Sequence, residues 1–275
     1  MKKNNSILLS APYIAWMSAF TLIPLGVVVY YAFTDPATGA FTFENMNALS
    51  AYVPVLWDSI CYALVSALIC LLLGYPVAYF IAHRSESVQK FLYMLVMLPM
   101  CMSFLLRTLA WVGLLQDTGI INSLLNSLGL GSVSLIRTPA AVVLGMVYNY
   151  LPYMILPLYS TIVKIDRRLI EAAEDLGCNG VQTFGRVILP LSAPGIFTGI
   201  TMVFVPAVST FYISQKLGGT DTVLIGDVIE RLFKQGQNQN LGAALSLVLM
   251  ALVFVCTDIM NRFGGNSDEE GGVIV

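Results

Sequence analysis

The chain has 275 residues, of which 57% are hydrophobic and 11% charged, with a formal net charge of −2. Ordinary soluble domains are about a quarter charged, so the composition excludes a soluble fold, and lipid must act as solvent for much of the apolar surface. The net charge says little about partners, and no basic tract suggests nucleic acid.

Crossing the hydrocarbon core takes about 20 apolar residues at a rise of about 1.5 Å each, and six stretches reach that length. The first, residues 7–33, follows Lys2 and Lys3. It is too long for a signal peptide and lacks a clear small-residue cleavage site, so it reads as a retained helix. The second covers 59–82 and the third 91–115. The fourth, 139–163, has Thr138 as N-cap and Pro139 at the first helical position. The fifth covers 194–214 and the sixth 241–260.

Backbone amides inside lipid must be satisfied within the segment, which makes these spans helices. No period-2 alternation runs through them, so a barrel is excluded. The expected fold class is an all-α membrane protein of six transmembrane helices. Pro24, Pro99, Pro152, Pro157 and Pro206 are expected to kink their spans. Gly195 and Gly199 form a small-residue face for close helix packing. The organisation is residues 1–58 as first helix and outer loop, 59–262 as a five-helix core, and 263–275 as a cytosolic tail.

Basic residues set the orientation. With the N-terminus inside, the cytosolic segments hold Lys2, Lys3, Arg84, Lys90, Lys164, Arg167, Arg168, Arg186 and Arg262. The outer segments hold only Arg137, Lys216, Arg231 and Lys234, so both termini are expected to be cytosolic. Arg107 lies within the third span, 17 residues beyond Lys90, or roughly 25 Å along a continuous helix. A charge inside the membrane would mark function by default, whereas that distance puts Arg107 near the outer interface, with its guanidinium snorkelling to water.

Cys61, Cys70, Cys101, Cys178 and Cys256 show no CxxC spacing, and four sit in apolar runs, which argues against disulfides or a metal site. His83, the only histidine, sits beside Arg84 at a helix end and reads as a solvated interface residue. The chain has no GxxxxGK[ST] loop, so any ATP-driven activity must borrow its engine from a partner. No catalytic residue, metal or cofactor is expected.

The segment KIDRRLIEAAEDLGCNGVQTFGRVILPLSAPG, between spans four and five, reads as two short helices. Asp166 is the N-cap of the first, and Leu169, Ala172, Ala173 and Leu176 share one face. Gly177 is its C′ residue, Asn179 and Gln182 form a capping box for the second helix, and Pro190 stops that helix. Small alanines permit close approach while Arg167, Arg168, Glu171, Glu174 and Asp175 supply register, which is the design of a docking knob. A helix lying on lipid would carry larger apolar residues and more basic ones.

Glu171-Ala172-Ala173, Gly177 and Val187-Ile188-Leu189-Pro190 match the spacing E-A-A-x3-G-x9-I-x-L-P, with Val187 in place of Ile. On these residues the chain resembles the permease subunits of ABC importers. The resemblance implies the type I importer permease fold, with Glu171, Ala172, Ala173, Gly177, Leu189 and Pro190 coupling to an ATPase. RTLAWVGLLQDTGIIN, LPYMILPLYSTI, EAAEDLG and FYISQKLGG with LIGDVIERLF extend the likeness toward the spermidine/putrescine branch. That branch implies two ABC ATPase subunits, a second homologous permease, an extracytoplasmic substrate-binding protein and a bacterial inner-membrane setting. Permeases for phosphonates, opines, sulfate or iron share much of the pattern.

For such a permease, substrate should meet polar and aromatic groups mid-membrane. Tyr148, Asn149, Tyr150, Ser209, Thr210 and Tyr212 are the candidates for that path, each of which a packed core role would also explain. No carboxylate lies between 139 and 162 or between 194 and 214. A secondary transporter would show intramembrane acids and inverted repeats, and an intramembrane enzyme would need a nucleophile or metal set.

Overall fold

The computed structural model describes residues 12–264 apart from positions 14, 37, 130, 220, 221, 235 and 237. Lys2, Lys3, the start of the first span at 7–11 and the tail beyond 264 lie outside the described residues. Among the described residues, six helical stretches are long and apolar enough to cross a membrane: Ala15–Ala32, Glu44–Ala82, Phe104–Ser127, Pro139–Ile162, Gly180–Val208 and Gln239–Met260.

Helix α1 (Ile23–Ala32) continues a π turn at Ser18–Leu22, whose wider winding accommodates Pro24, which has no N–H to give the helical ladder. Helix α2 (Glu44–Ala48) leads through a 3₁₀ turn into α3 (Val53–Ala82). Helix α4 (Glu86–Met97) runs into a 3₁₀ turn, Leu98–Cys101, and α5 (Phe104–Leu115) starts anew after extended backbone at Met102 and Ser103. The expected span 91–115 is therefore broken. Pro99 lacks an N–H for the helical ladder, and the chain resolves the conflict by a break rather than a kink.

Helix α6 is Ile120–Ser127, and α7 is Pro139–Ile162 with Pro152 and Pro157 inside it. The Thr138 side chain caps α7 by accepting from the Ala141 N–H at 3.2 Å. Two short helices, α8 (Arg167–Asp175) and α9 (Gly180–Thr183), precede α10 (Leu189–Val208). Then come α11 (Tyr212–Leu217), α12 (Ile225–Lys234) and α13 (Gln239–Gly264). The fifth span ends at Val208, short of the expected 214, because the chain bends at Ser209–Phe211 into the short α11.

The described residues fall into two compact units, one drawn from Met1–Pro54 and Val228–Leu252, the other from Val55–Asp227 and Val253–Val275. In the first, Ala32, Ala243 and Ala244 pack with Val28, Phe33, Met46 and Leu49. Buried Asn45 and Asn240 both donate to the Thr34 carbonyl, satisfying backbone that the end of α1 leaves open.

In the second unit α7 is the central helix. Its Met146, Met154 and Leu158 are fully buried. Small residues on both neighbours let the backbones close on it. On α3, a Cβ added at Gly74 would stand 3.1 Å from the Met154 side chain. On α10, one at Gly195 would stand 2.6 Å from Thr161 Oγ1 and 2.9 Å from the Pro157 carbonyl, and one at Gly199 2.6 Å from Met154 Sδ. The small-residue face at Gly195 and Gly199 thus packs as the sequence leads one to expect.

Candidate functional site

The segment joining α7 to α10 is built by its caps. The Asp166 carboxylate accepts from the Arg168 N–H at 3.0 Å and starts α8. The N–H groups of Gly177 and Cys178 donate to Glu174 and Ala173 carbonyls at 2.9 and 3.0 Å, closing α8 as a Schellman motif. That closure needs the left-handed φ of +84° at Gly177, which glycine alone adopts without cost. Asn179 and Gln182 then cap reciprocally, at 2.9 and 3.0 Å.

Pro190 does not stop the second helix. A π turn at Phe184–Ile188 carries the chain from α9 directly into α10, with Pro190 in the first turn of α10. The wider turn absorbs the hydrogen bond that proline cannot make, so helix is continuous from Gly180 to Val208.

The faces of α8 also differ from the grouping read off the sequence. Ala173 is buried, with Ile170 half-buried beside it. Together with Ala82, Ile162, Ile165 and Ile188, Ile170 lines a cavity of about 140 Å³. Ala172 is exposed instead, as are Leu169 at 48%, Leu176 at 87% and Val181 at 82%. Glu171 is exposed and forms no ion pair among the described residues. Because the pitch of α8 turns Ala172 and Ala173 about 100° apart, one alanine seats the helix on its own chain and the other faces out.

A ring contact ties this segment to the core. Phe184, on the π turn, lies edge-on to Tyr75 with centroids 5.4 Å apart and to Tyr79 at 6.1 Å. The Tyr75 hydroxyl is 2.8 Å from Ser192 Oγ on α10.

Of the six candidate path residues, the fold gathers three. Tyr150 is buried, and its hydroxyl donates to the Pro206 carbonyl at 3.3 Å and bonds Thr210, itself buried. Phe104 joins them, with its ring 6.5 Å from Tyr150 and 6.3 Å from Tyr212. Tyr148 turns away, packing on Trp111 at 5.3 Å. Asn149 is buried, donating to the Gly145 carbonyl at 2.9 Å and leaving Oδ1 without a partner. Ser209 is exposed and bonds its own helix at the Val205 carbonyl.

A family model described as binding-protein-dependent transport system inner membrane component matches residues 71–263. The chain belongs to this family. The spermidine/putrescine transport system permease protein PotB of Haemophilus influenzae is 39% identical over 264 residues, covering 90% of this chain and 92% of that protein. PotB of Escherichia coli is 38% identical over 245 residues, covering 86% and 89%. A crystal structure of a bacterial ABC transporter involved in alginate import has a chain with TM-score 0.80 and 19% identity, covering 97% of this chain and 98% of that one. The chain is thus a multi-pass inner-membrane transport component with the fold of a type I ABC-importer permease. The family match takes in α8, the π turn and the Tyr150 cluster.

The structure corrects the placement expected for Arg107 and adds a residue, Asp227, that the apolar runs do not point to. Arg107 is 6% exposed, and its Nε and Nη1 are buried without a hydrogen-bond partner. It faces inward rather than reaching for water. The 25 Å reach assumed one helix through Pro99, and the break there invalidates it. Phe104, Arg107, Thr108 and Trp111 share a 3–4 spacing, which marks Arg107 as part of the inward face of α5. Asp227 is a buried carboxylate whose Oδ2 accepts from the Leu224 N–H at 2.9 Å. It lies in α12, beyond the apolar runs that the hydropathy pattern marks.

Proposed function

We propose that this chain is the permease subunit of a polyamine importer, moving spermidine or putrescine inward by alternating access. The supporting observation is the level of identity, maintained over most of both chains, to the two spermidine/putrescine permeases. The chemistry of the cluster agrees. Tyr150, Tyr212 and Phe104 offer aromatic faces, and Thr210 a neutral hydroxyl, at the junction of α5, α7 and α11. Such groups hold a cation weakly, about 1–2 kcal/mol per ring, which favours passage over retention.

The energy comes from ATP hydrolysis on a separate pair of subunits, this chain itself being non-catalytic. Those ATPases dock on the exposed face of Leu169, Ala172, Leu176 and Val181, with Glu171 setting register. Gly177, Ala173, Leu189 and Pro190 act by holding that face in place. A second, homologous permease completes the path, and an extracytoplasmic binding protein supplies high-affinity selection. Residues 1–58 and 263–275 flank the transporting core at 59–262, and both termini are cytosolic.

The test is reconstitution of the chain with its partner permease, ATPase and binding protein in proteoliposomes. Spermidine is expected to stimulate ATP hydrolysis and to accumulate inside. Stimulation by sulfate or a phosphonate with no response to spermidine would overturn the cargo.

A further inference from the structure

We infer that a cavity at the C-terminal end of α1 binds a primary alkylammonium group, at a site built from none of the Tyr150 cluster residues; naming a polyamine as its ligand rests on the proposed cargo. The cavity, of about 440 Å³, is lined by Tyr30, Tyr31, Thr34 and Asp35 from the end of α1 and the turn after it, and by Asn238 and Gln239 around the start of α13. That volume lies within the usual range of small-ligand sites, about 300–1,000 Å³.

Its frame is held by hydrogen bonds rather than by loose loops. Asn240 Nδ2 donates to the carbonyl and the hydroxyl of Thr34, and Asn45 Nδ2 donates to the same carbonyl at 2.9 Å. Thr34 Oγ1 in turn donates to the Tyr30 carbonyl at 2.9 Å. The Asp35 N–H donates to the Ala40 carbonyl and the Gly39 N–H to the Asp35 carbonyl, both at 2.9 Å, which closes a tight turn. Thr38 Oγ1 donates to Asp35 Oδ2 at 2.6 Å and fixes the carboxylate against that turn. On the opposite wall Asn238 Oδ1 accepts from the Leu241 N–H at 3.0 Å and starts α13.

The chemistry gathered there selects an ammonium group. A carboxylate offers about four lone-pair sites, so Asp35 accepts from further donors beside Thr38, and a charge-assisted bond is the strong kind. Tyr30 and Tyr31, with ring centroids 5.8 Å apart, add aromatic faces that attract a cation and cover methylene groups. None of the described residues lining the cavity is basic. Residues 33–58 carry Asp35, Glu44 and Asp58 but no lysine, arginine or histidine, a field that draws cations and repels anions. A calcium ion takes 6–8 oxygen ligands, several of them carboxylates as a rule, and this cavity offers a single one. An ammonium on an alkyl chain uses the carboxylate and the rings together. With the N-terminus cytosolic, as proposed, one crossing by Ala15–Ala32 puts the cavity on the outer face, where free polyamine arrives.

The test is equilibrium binding of radiolabelled putrescine to the purified full chain in detergent, compared for wild type, Asp35→Asn and Tyr31→Leu. Asparagine keeps an oxygen for Thr38 and removes the charge. Asp35→Asn is expected to weaken binding by about 10- to 100-fold, the worth of a bond to a charged group. Tyr31→Leu is expected to weaken it by about 2- to 5-fold, the worth of an exposed cation–π contact. Absence of binding to wild type, equal binding by Asp35→Asn, or displacement of putrescine by equimolar Mg²⁺ overturns the inference. Should Asp35→Asn fail to fold, the double variant Tyr30→Leu, Tyr31→Leu carries the test: a severalfold loss is expected, and unchanged binding overturns the inference. The measurement involves no transport and so stands apart from the cargo test. Sulfate-stimulated hydrolysis in proteoliposomes overturns the cargo, whereas equal putrescine binding by Asp35→Asn overturns only this site.

Discussion

The hydroxyl of Tyr75 and Oγ of Ser192 lie 2.8 Å apart in a buried contact that joins α3 to α10 directly beside the π turn. Ser192 also donates to the Leu189 carbonyl at 3.0 Å, so it is fixed to its own helix as well. Phe184 leans on the same tyrosine. A displacement of α8 by a docked subunit therefore reaches α3 through one ring contact and one hydrogen bond.

Tyr75→Phe removes that bond and keeps the ring. The expected loss of stability is about 1 kcal/mol, the net worth of one hydrogen bond. Phe184→Ala removes the ring contact and should leave the fold intact. Both variants are expected to hydrolyse more ATP per spermidine imported, checked by measuring the two rates in the same vesicles.

The α7–α10 seam makes a sharper stability prediction. Gly195→Val places a side chain where backbone and Thr161 already stand within 3 Å of a Cβ, so it should destabilise by about 1–3 kcal/mol. Gly26→Ala adds a Cβ with nothing within 4 Å, and its effect should stay within about 0.5 kcal/mol. Thermal unfolding of the purified chain in detergent compares the two.

In the segment proposed to dock the ATPase, Glu171→Lys reverses an exposed charge without touching any internal bond of α8. It should weaken ATPase docking by about 2–5 kcal/mol while membrane insertion stays normal. Gly177→Val acts through strain instead, costing about 1–2 kcal/mol at the left-handed residue and loosening the turn between α8 and α9. Co-purification of the ATPase separates them, since the first should lose it at full expression and the second should also lower the yield of folded chain.

Apolar run length made the number of crossing helices legible, and the caps at Thr138, Asp166, Gly177, Asn179 and Gln182 were readable as local chemistry. Each of those depends on neighbours within a few residues. What the sequence hid depends on how the chain yields at proline. Pro99 breaks its helix, whereas Pro190 is absorbed by a π turn, and nothing local distinguishes the two. The position of Arg107 follows from the first, and the continuity of α10 with α9 from the second. The partial assembly of the Tyr150 cluster has the same root. Tyr148 and Tyr150 are 200° apart on α7, so only one can face α10 and α11.

The most direct measurement is a crosslink from Leu176, the most exposed apolar residue of the α8–α9 face. In a background lacking the five native cysteines, Leu176→Cys carries a short photoactivatable crosslinker in the assembled transporter. It should join the ATPase subunit in the resting complex, at a yield that changes when ATP is bound, and should resist membrane-impermeant thiol reagents added outside intact cells. Crosslinking to the extracytoplasmic binding protein, or labelling of residue 176 from outside, would contradict both the docking role and the orientation.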